Sequence, residues 1–408
     1  MTQSLELDVL ARPPTPASHS SQPKWSLLIF FALLFTKPAL LGPATEIAGF
    51  GLVIKLIDLA FVLYVITYVV LYADYFLKQA IWLIVTILFF CSSFFLSELL
   101  NEKKLIFSIY ESLKFSTPLL GFLVLYREAK HEPDSVARYC YAILVAMFAL
   151  AIAGVGFLPE RYKSGVAFAP AYFGGLHTSA YVISLSTICF YFLARANYIS
   201  HRQLYFWLLI GIALLFVAWQ VRTALVLFVT FFLLISWKSS SSARLWMVVL
   251  FYTGTLTGIV LLLFQVLHLP SLDQLTMFSS GRLAMWQFKL ELLSKATLLQ
   301  MLFGRGIGSD LTLTDIWWWA AKDSHNDFLH LLTELGIVGL GLAIILFAAY
   351  RKTLAIADFA ATALFVGFAA ASILSNGLMF RPTPALFFSM ALALSTIRKK
   401  PNHSPHPQ

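Results

Sequence analysis

From Trp25 to Ile397 the chain alternates long apolar runs with short polar breaks. The runs approach the ~20 residues a helix needs to cross a bilayer. They fall at 25–42, 48–72, 79–98, 105–126, 138–158, 176–194, 203–218, 221–237, 245–267, 326–349, 354–374 and 377–397. This pattern predicts an all-α, polytopic membrane bundle of about twelve spans, forming one domain over 25–397. Read as one helix, 203–237 would be about 52 Å long at 1.5 Å per residue. A ~30 Å hydrocarbon core does not need that length, so a break is expected around Trp219-Gln220-Val221-Arg222. One long loop, 268–325, interrupts the pattern. Within it Leu283, Trp286, Leu290 and Leu293 recur at helical spacing over 281–295, and a second helix is expected over Leu311–Lys322. The latter holds Trp317, Trp318 and Trp319, which suit an interfacial anchor or a sugar-stacking surface. The polar, Pro- and Ser-rich 1–24 and the short 398–408 are expected to be disordered tails. The apolar run after residue 24 is too long for a cleavable signal and lacks a small-residue cleavage site. No internal repeat is visible, which speaks against the paired halves of many transporters.

Composition sharpens this picture. Hydrophobic residues make up 59% and charged residues only 12%, where a soluble domain carries about 25% charged residues. The net charge of +9 does not point to nucleic acid, because the bases stand singly in short loops. With the N-terminus inside, the inner loops and tails hold fifteen Lys and Arg, from Arg12 and Lys24 to Arg398, Lys399 and Lys400. The short outer loops hold six: Lys103, Lys104, Arg161, Lys163, Arg222 and Arg381. That asymmetry places both termini in the cytoplasm and the 268–325 loop outside. Cys91, Cys140 and Cys189 lie in apolar stretches without metal or redox spacing and are expected to be buried thiols.

Charge at a membrane edge is costly and therefore informative. Arg222 opens a very apolar helix at the outer face, where it can grip an anion bidentately or snorkel. Arg282 sits at the expected start of a loop helix, in Ser279-Ser280-Gly281-Arg282. Gly304-Arg305-Gly306-Ile307-Gly308 has glycines spaced to let amides approach a phosphate. It lacks a strand–helix setting, so a tight turn is expected in place of a nucleotide site. His325, in Asp323-Ser324-His325-Asn326-Asp327, can take a proton near neutral pH, with Asp323 or Asp327 holding its tautomer. His330 is five residues on, a spacing that matches no standard metal motif. Lys55 with Asp58 and Glu111 with Lys114 stand at i,i+3, so each pair can neutralise itself on one helix face or mark a transport path.

Taken together, these motifs resemble the bacterial O-antigen ligase and polymerase superfamily. The resemblance rests on Gln220-Val221-Arg222-Thr223-Ala224, on Gly281-Arg282-Leu283-Ala284-Met285-Trp286, and on His325-Asn326 followed nine residues later by Gly336-Ile337-Val338-Gly339. It covers roughly Leu204 to Ile397; the first half is similar only in topology and hydropathy. It implies a GT-C-like bundle in the bacterial inner membrane with a periplasmic active site. The implied reaction transfers a saccharide from undecaprenyl pyrophosphate to a sugar hydroxyl of lipid A–core, with inversion and with no metal or cofactor. Arg222 and Arg282 would bind the donor pyrophosphate and His325 would activate the acceptor. Arg305, Asn326, Arg381 and Arg161 are further candidates for substrate contact. A repeat-unit polymerase of the same superfamily is compatible with these motifs, and a transporter of a lipid-linked or anionic solute is the alternative from another class.

Overall fold

The computed structural model describes residues 25–41, 50–101, 105–157, 161–163, 166–168, 172–173, 175–219, 221–238, 281–314, 321–354, 358–374 and 381–398. The expected span 245–267, the start of the long loop, Trp317–Trp319 and both tails lie outside these residues, as do the side chains of Arg161, Glu111 and Lys114.

The apolar runs fold as helices: α1 (Trp25–Leu41), α2 (Phe50–Leu71), α3 (Ala73–Gln79), α4 (Ile81–Leu100), α5 (Leu105–His131), α6 (Pro133–Phe157), α7 (Leu176–Arg195) and α8 (His201–Ile212). A π-helical turn, Ala213–Trp219, extends α8, and α9 (Arg222–Lys238) starts after a break at the expected place. Then come α10 (Arg282–Ser294), α11 (Leu298–Phe303), α12 (Asp327–Thr353), α13 (Phe359–Leu374) and α14 (Pro382–Ser395). Among the described residues, six helices are long and apolar enough to cross a membrane: Leu52–Leu71, Ile81–Leu100, Pro133–Gly156, Leu176–Arg195, His201–Trp219 and Asp327–Thr353. The chain is thus an all-α multi-pass membrane protein. One short antiparallel hairpin departs from the all-α reading, pairing Arg161 with Phe168 and Lys163 with Val166.

On α2 the residues Leu52, Leu56, Leu59, Leu63, Ile66 and Val70 follow a 4-3-4-3-4 spacing and are all exposed. Such a stripe is stable against lipid, where helices are not held together by hydrophobic burial. The helices approach closely through small residues and bond through side chains. A Cβ at Gly367 of α13 would lie 3.0 Å from the Leu227 carbonyl of α9. Ser184 of α7 donates to the Ala224 carbonyl (3.1 Å), and Ser389 of α14 donates to the Pro118 carbonyl (2.9 Å). α7 is buried nearly all round from Ser179 to Ala194, which makes it the central post of the bundle. At one end of the bundle Arg195 bonds Asp358 (2.5 Å) and the Ser395 carbonyl (2.9 Å), joining α7, α13 and α14.

Asp58 is engaged by Lys37 of α1, a partner from another helix that spacing along α2 cannot reveal. One expectation is corrected. The segment 311–322 is not a helix at its described ends. Thr312 and Lys322 exchange backbone hydrogen bonds of 3.0 and 2.9 Å as an antiparallel bridge. Thr312 and Thr314, at the described end, favour extended backbone. The helix that does form in this part of the loop is α11, started by a capping box of Thr297 and Gln300.

The loop is seated by a break in α12. Gly336 adopts φ 67° and ψ −167°, and the helix is interrupted there. The freed carbonyls of Thr333 and Glu334 accept from the N–H groups of Arg305 (3.0 Å) and Gly306 (3.2 Å). Gly304 also has positive φ, and a Cβ on it would overlap the Glu334 carbonyl, just as one on Gly336 would overlap the Leu302 carbonyl. Both glycines therefore permit one backbone contact. Gly336→Ala is expected to destabilise the fold by about 1–3 kcal/mol, read as a lower unfolding temperature of detergent-solubilised protein; an unchanged temperature would contradict the contact.

Candidate active site

Arg222, Arg282 and the Asp323–His325 pair meet at the end of the bundle where α9 begins and α13 ends. α13 packs along α9, and its terminal carbonyls are taken by residues of the loop. Arg282 donates Nη1 to the Leu374 carbonyl (2.5 Å), and Asn326 donates Nδ2 to the Ile373 carbonyl (2.9 Å). These are the orphan acceptors of a helix C-terminus, which also favour a nearby cation. Asn326 has a second duty as the N-cap of α12, its Oδ1 accepting from the Leu329 N–H at 3.0 Å.

Arg282 is half-buried. Its burial lowers its pKa, the Tyr181 side chain opposes this, Arg222 lowers it further, and Asp323 again opposes. Two guanidinium groups, a phenol and a carboxylate therefore share one electrostatic neighbourhood. Two cations held together near a helix end need an anion to relieve their repulsion.

His325 sits in the turn before α12 with φ 50°, an uncommon conformation for a residue with a Cβ. Its Nδ1 is bonded to Asp323 Oδ1, and its own N–H donates to the same oxygen at 3.2 Å. With Nδ1 so engaged, Nε2 is the nitrogen open to an incoming proton. Of the two expected carboxylates, Asp323 is thus the one on the imidazole. Burial alone would raise the Asp323 pKa, but its hydrogen bond to His325 and the charges of His325 and His330 outweigh that and hold it below the usual carboxylate range.

The other sequence candidates are placed differently. Arg305 donates Nη2 to the Leu292 carbonyl (2.8 Å), tying its loop to the C-terminal end of α10. Arg381 is the N-cap residue of α14 and donates to Thr178 Oγ1 (3.0 Å), one turn before Tyr181 on α7. Gly304, Gly306 and Gly308 all have positive φ, so the tight turn is realised. Its amides serve the protein's own carboxylates: Ile307 N–H goes to Glu98, and Gly308 N–H to Glu334 Oε1 at 2.7 Å. The anion-binding geometry suggested by the glycines is filled from within.

Sequence reasoning missed a buried charged cluster behind the site. Lys289 and Asp310 are fully buried with Nζ and Oδ1 3.2 Å apart. His330 joins Asp310 (Nδ1–Oδ2, 3.2 Å) to Glu334 (Nε2–Oε2, 3.0 Å). The available signal was the face of α10: Arg282, Trp286 and Lys289 are spaced i, i+4, i+7. Among the described residues no group of three or more His, Cys, Asp or Glu side chains has the arrangement of a metal site. No protein-family model matches the chain, and no curated protein matches it.

Because the native Asp323 pKa lies below its unfolded value, the pair stabilises the fold above about pH 4 and loses that contribution as pH falls through the lowered native value. Thermal unfolding of wild type is therefore expected to lose more stability between about pH 5 and 3 than Asp323→Asn does. Parallel curves for the two proteins would remove the ion pair from the account.

Proposed function

We propose that the chain is a lipid-linked saccharide transferase of the O-antigen ligase type. It would move an oligo- or polysaccharide from undecaprenyl pyrophosphate to a sugar hydroxyl of lipid A–core by inverting displacement. The observation that carries this reading is the meeting of Arg222 and Arg282 with an Asp-supported His325 at one end of a multi-pass membrane bundle.

The chemistry follows from the residues. Displacement at the anomeric carbon leaves negative charge on the departing pyrophosphate. Arg222 and Arg282 would meet that charge, Arg282 from a half-buried position where a fixed cation acts more strongly than in water. His325 Nε2 takes the proton of the attacking hydroxyl, and Asp323 at Nδ1 stabilises the imidazolium that forms. Attack opposite the leaving group inverts the carbon. Arg381, which donates to Thr178, and Asn326, beside His325, are the further residues that would contact the saccharide. In this reading the bundle has about twelve spans and a GT-C-like arrangement. It lies in the bacterial inner membrane with both termini cytoplasmic and the site periplasmic, and the apolar faces around the site hold the polyprenyl chain.

The test is transfer by purified, reconstituted protein in EDTA, given undecaprenyl-pyrophosphate oligosaccharide with and without lipid A–core. Glycan on lipid A–core supports the ligase. A ladder on the polyprenyl carrier without that acceptor makes the protein a polymerase, and transport of the intact lipid-linked donor across vesicles would replace both. His325→Ala is expected to lower turnover by about 10²–10⁴ while donor binding persists. Arg282→Lys is expected to weaken donor binding despite keeping the charge, since an ammonium cannot reproduce the bidentate grip.

A further inference from the structure

The turn that carries His325 is gripped at the residue before it. Ser324 is fully buried. Its N–H donates to Asp310 Oδ2 (2.7 Å), and its carbonyl accepts from the indole Nε1 of Trp286 (2.7 Å). Both peptide groups beside the Asp323–His325 pair are therefore fixed by side chains that do not reach the site. Asp310 is itself held: Lys289 donates to its backbone carbonyl and pairs with its carboxylate, and His330 meets its other oxygen. Trp286 and Lys289 stand on α10 with Arg282, so one helix sets both the cation and the turn that bears the base.

We propose that Trp286 and Asp310 are positioning residues for His325, clamping Ser324 so that the imidazole keeps its uncommon backbone conformation and its bond to Asp323. Lys289 locks Asp310 in place. The charges make this arrangement suitable. Lys289 is matched by Asp310, and His330 stands between Asp310 and Glu334. Glu98 faces the same loop from α4 and is bonded to the Ile307 N–H. Asp323 carries the bond to His325. Loosening the clamp releases a base from its attack geometry, and a misplacement near 1 Å can cost about 10²-fold in rate.

The role assigned to His325 rests on the transferase reading, so the test pairs an activity assay with one that needs no substrate. Trp286→Phe removes the indole donor and keeps the ring. Leu290→Met, at an exposed position of the same helix, is a volume-conserving control. The substrate-free readout is the rate at which diethyl pyrocarbonate modifies His325, located by fragmentation mass spectrometry to separate it from His330. Trp286→Phe is expected to raise that rate severalfold and to lower kcat by about 10- to 100-fold with donor KM unchanged, while Leu290→Met follows wild type. An unchanged modification rate at His325, or an equal rise in Leu290→Met, overturns the clamp. A raised rate in Trp286→Phe alone, from a wild type that transfers no lipid-linked saccharide, supports the clamp and overturns the transferase reading.

Discussion

The site depends on a backbone exchange at Gly336. Where α12 breaks, the carbonyls of Thr333 and Glu334 lose their helical donors and take those of Arg305 and Gly306 instead. A buried carbonyl without a partner costs roughly 1–3 kcal/mol, so break and loop need each other. Ser97 of α4 reinforces the junction, donating to the Glu334 carbonyl at 2.6 Å and accepting from the Gly306 N–H at 3.1 Å. From this seat the loop delivers Asp310 to Ser324 and thereby fixes the turn of His325. Gly336 belongs to the His-Asn…Gly…Gly motif, and its part in it is mechanical. Gly339 follows for a related reason: a Cβ there would overlap Leu335 across the distorted turn.

Electrostatics divides the loop end into two compartments. In the buried one, charges are paired among themselves, and removing one partner of such a pair typically costs about 3–5 kcal/mol. In the half-open one, Arg222 and Arg282 repel each other, and His325 leans on a single carboxylate. Arg282 is steadied by the Leu374 carbonyl, a dipole that holds a guanidinium without neutralising it. The closed compartment gives rigidity, and the open one keeps excess positive charge. Rigid support beneath a charged, partly desolvated first layer is what differential stabilisation of a developing anion requires.

Much of this was legible in the sequence. Hydropathy located the membrane helices because a span is a local property of about 20 residues, and it required the break before Arg222. The α10 helix followed from the spacing of Leu283, Trp286 and Leu290, and adjacency narrowed the partner of His325 to Asp323 or Asp327. The contacts that escaped are long-range. Lys37 of α1 finds Asp58 of α2, Glu98 finds Ile307 across the bundle, and Lys289 finds Asp310 across the loop. The described ends of 311–322 depart from the expected helix because the bridge of Thr312 to Lys322 is a pairing ten residues apart that local spacing does not show. Arg305 was a candidate for substrate contact, and its place beside glycines does not show that it also ties to the Leu292 carbonyl at a helix end.

The contact of Ser97 with Gly306 joins residues 209 positions apart in the chain. Pairings of such separation form late, after the intervening loops have been closed against their entropy. During synthesis, the helices up to α9 enter the membrane with Arg222 in place but with no seat for the loop, since Glu334 and Gly336 have not yet been made. The imidazole is therefore set against its carboxylate only when α12 has come to rest against α4. A partly inserted chain carries Arg222 but no ordered imidazole, and only assembly of the whole bundle completes the candidate site.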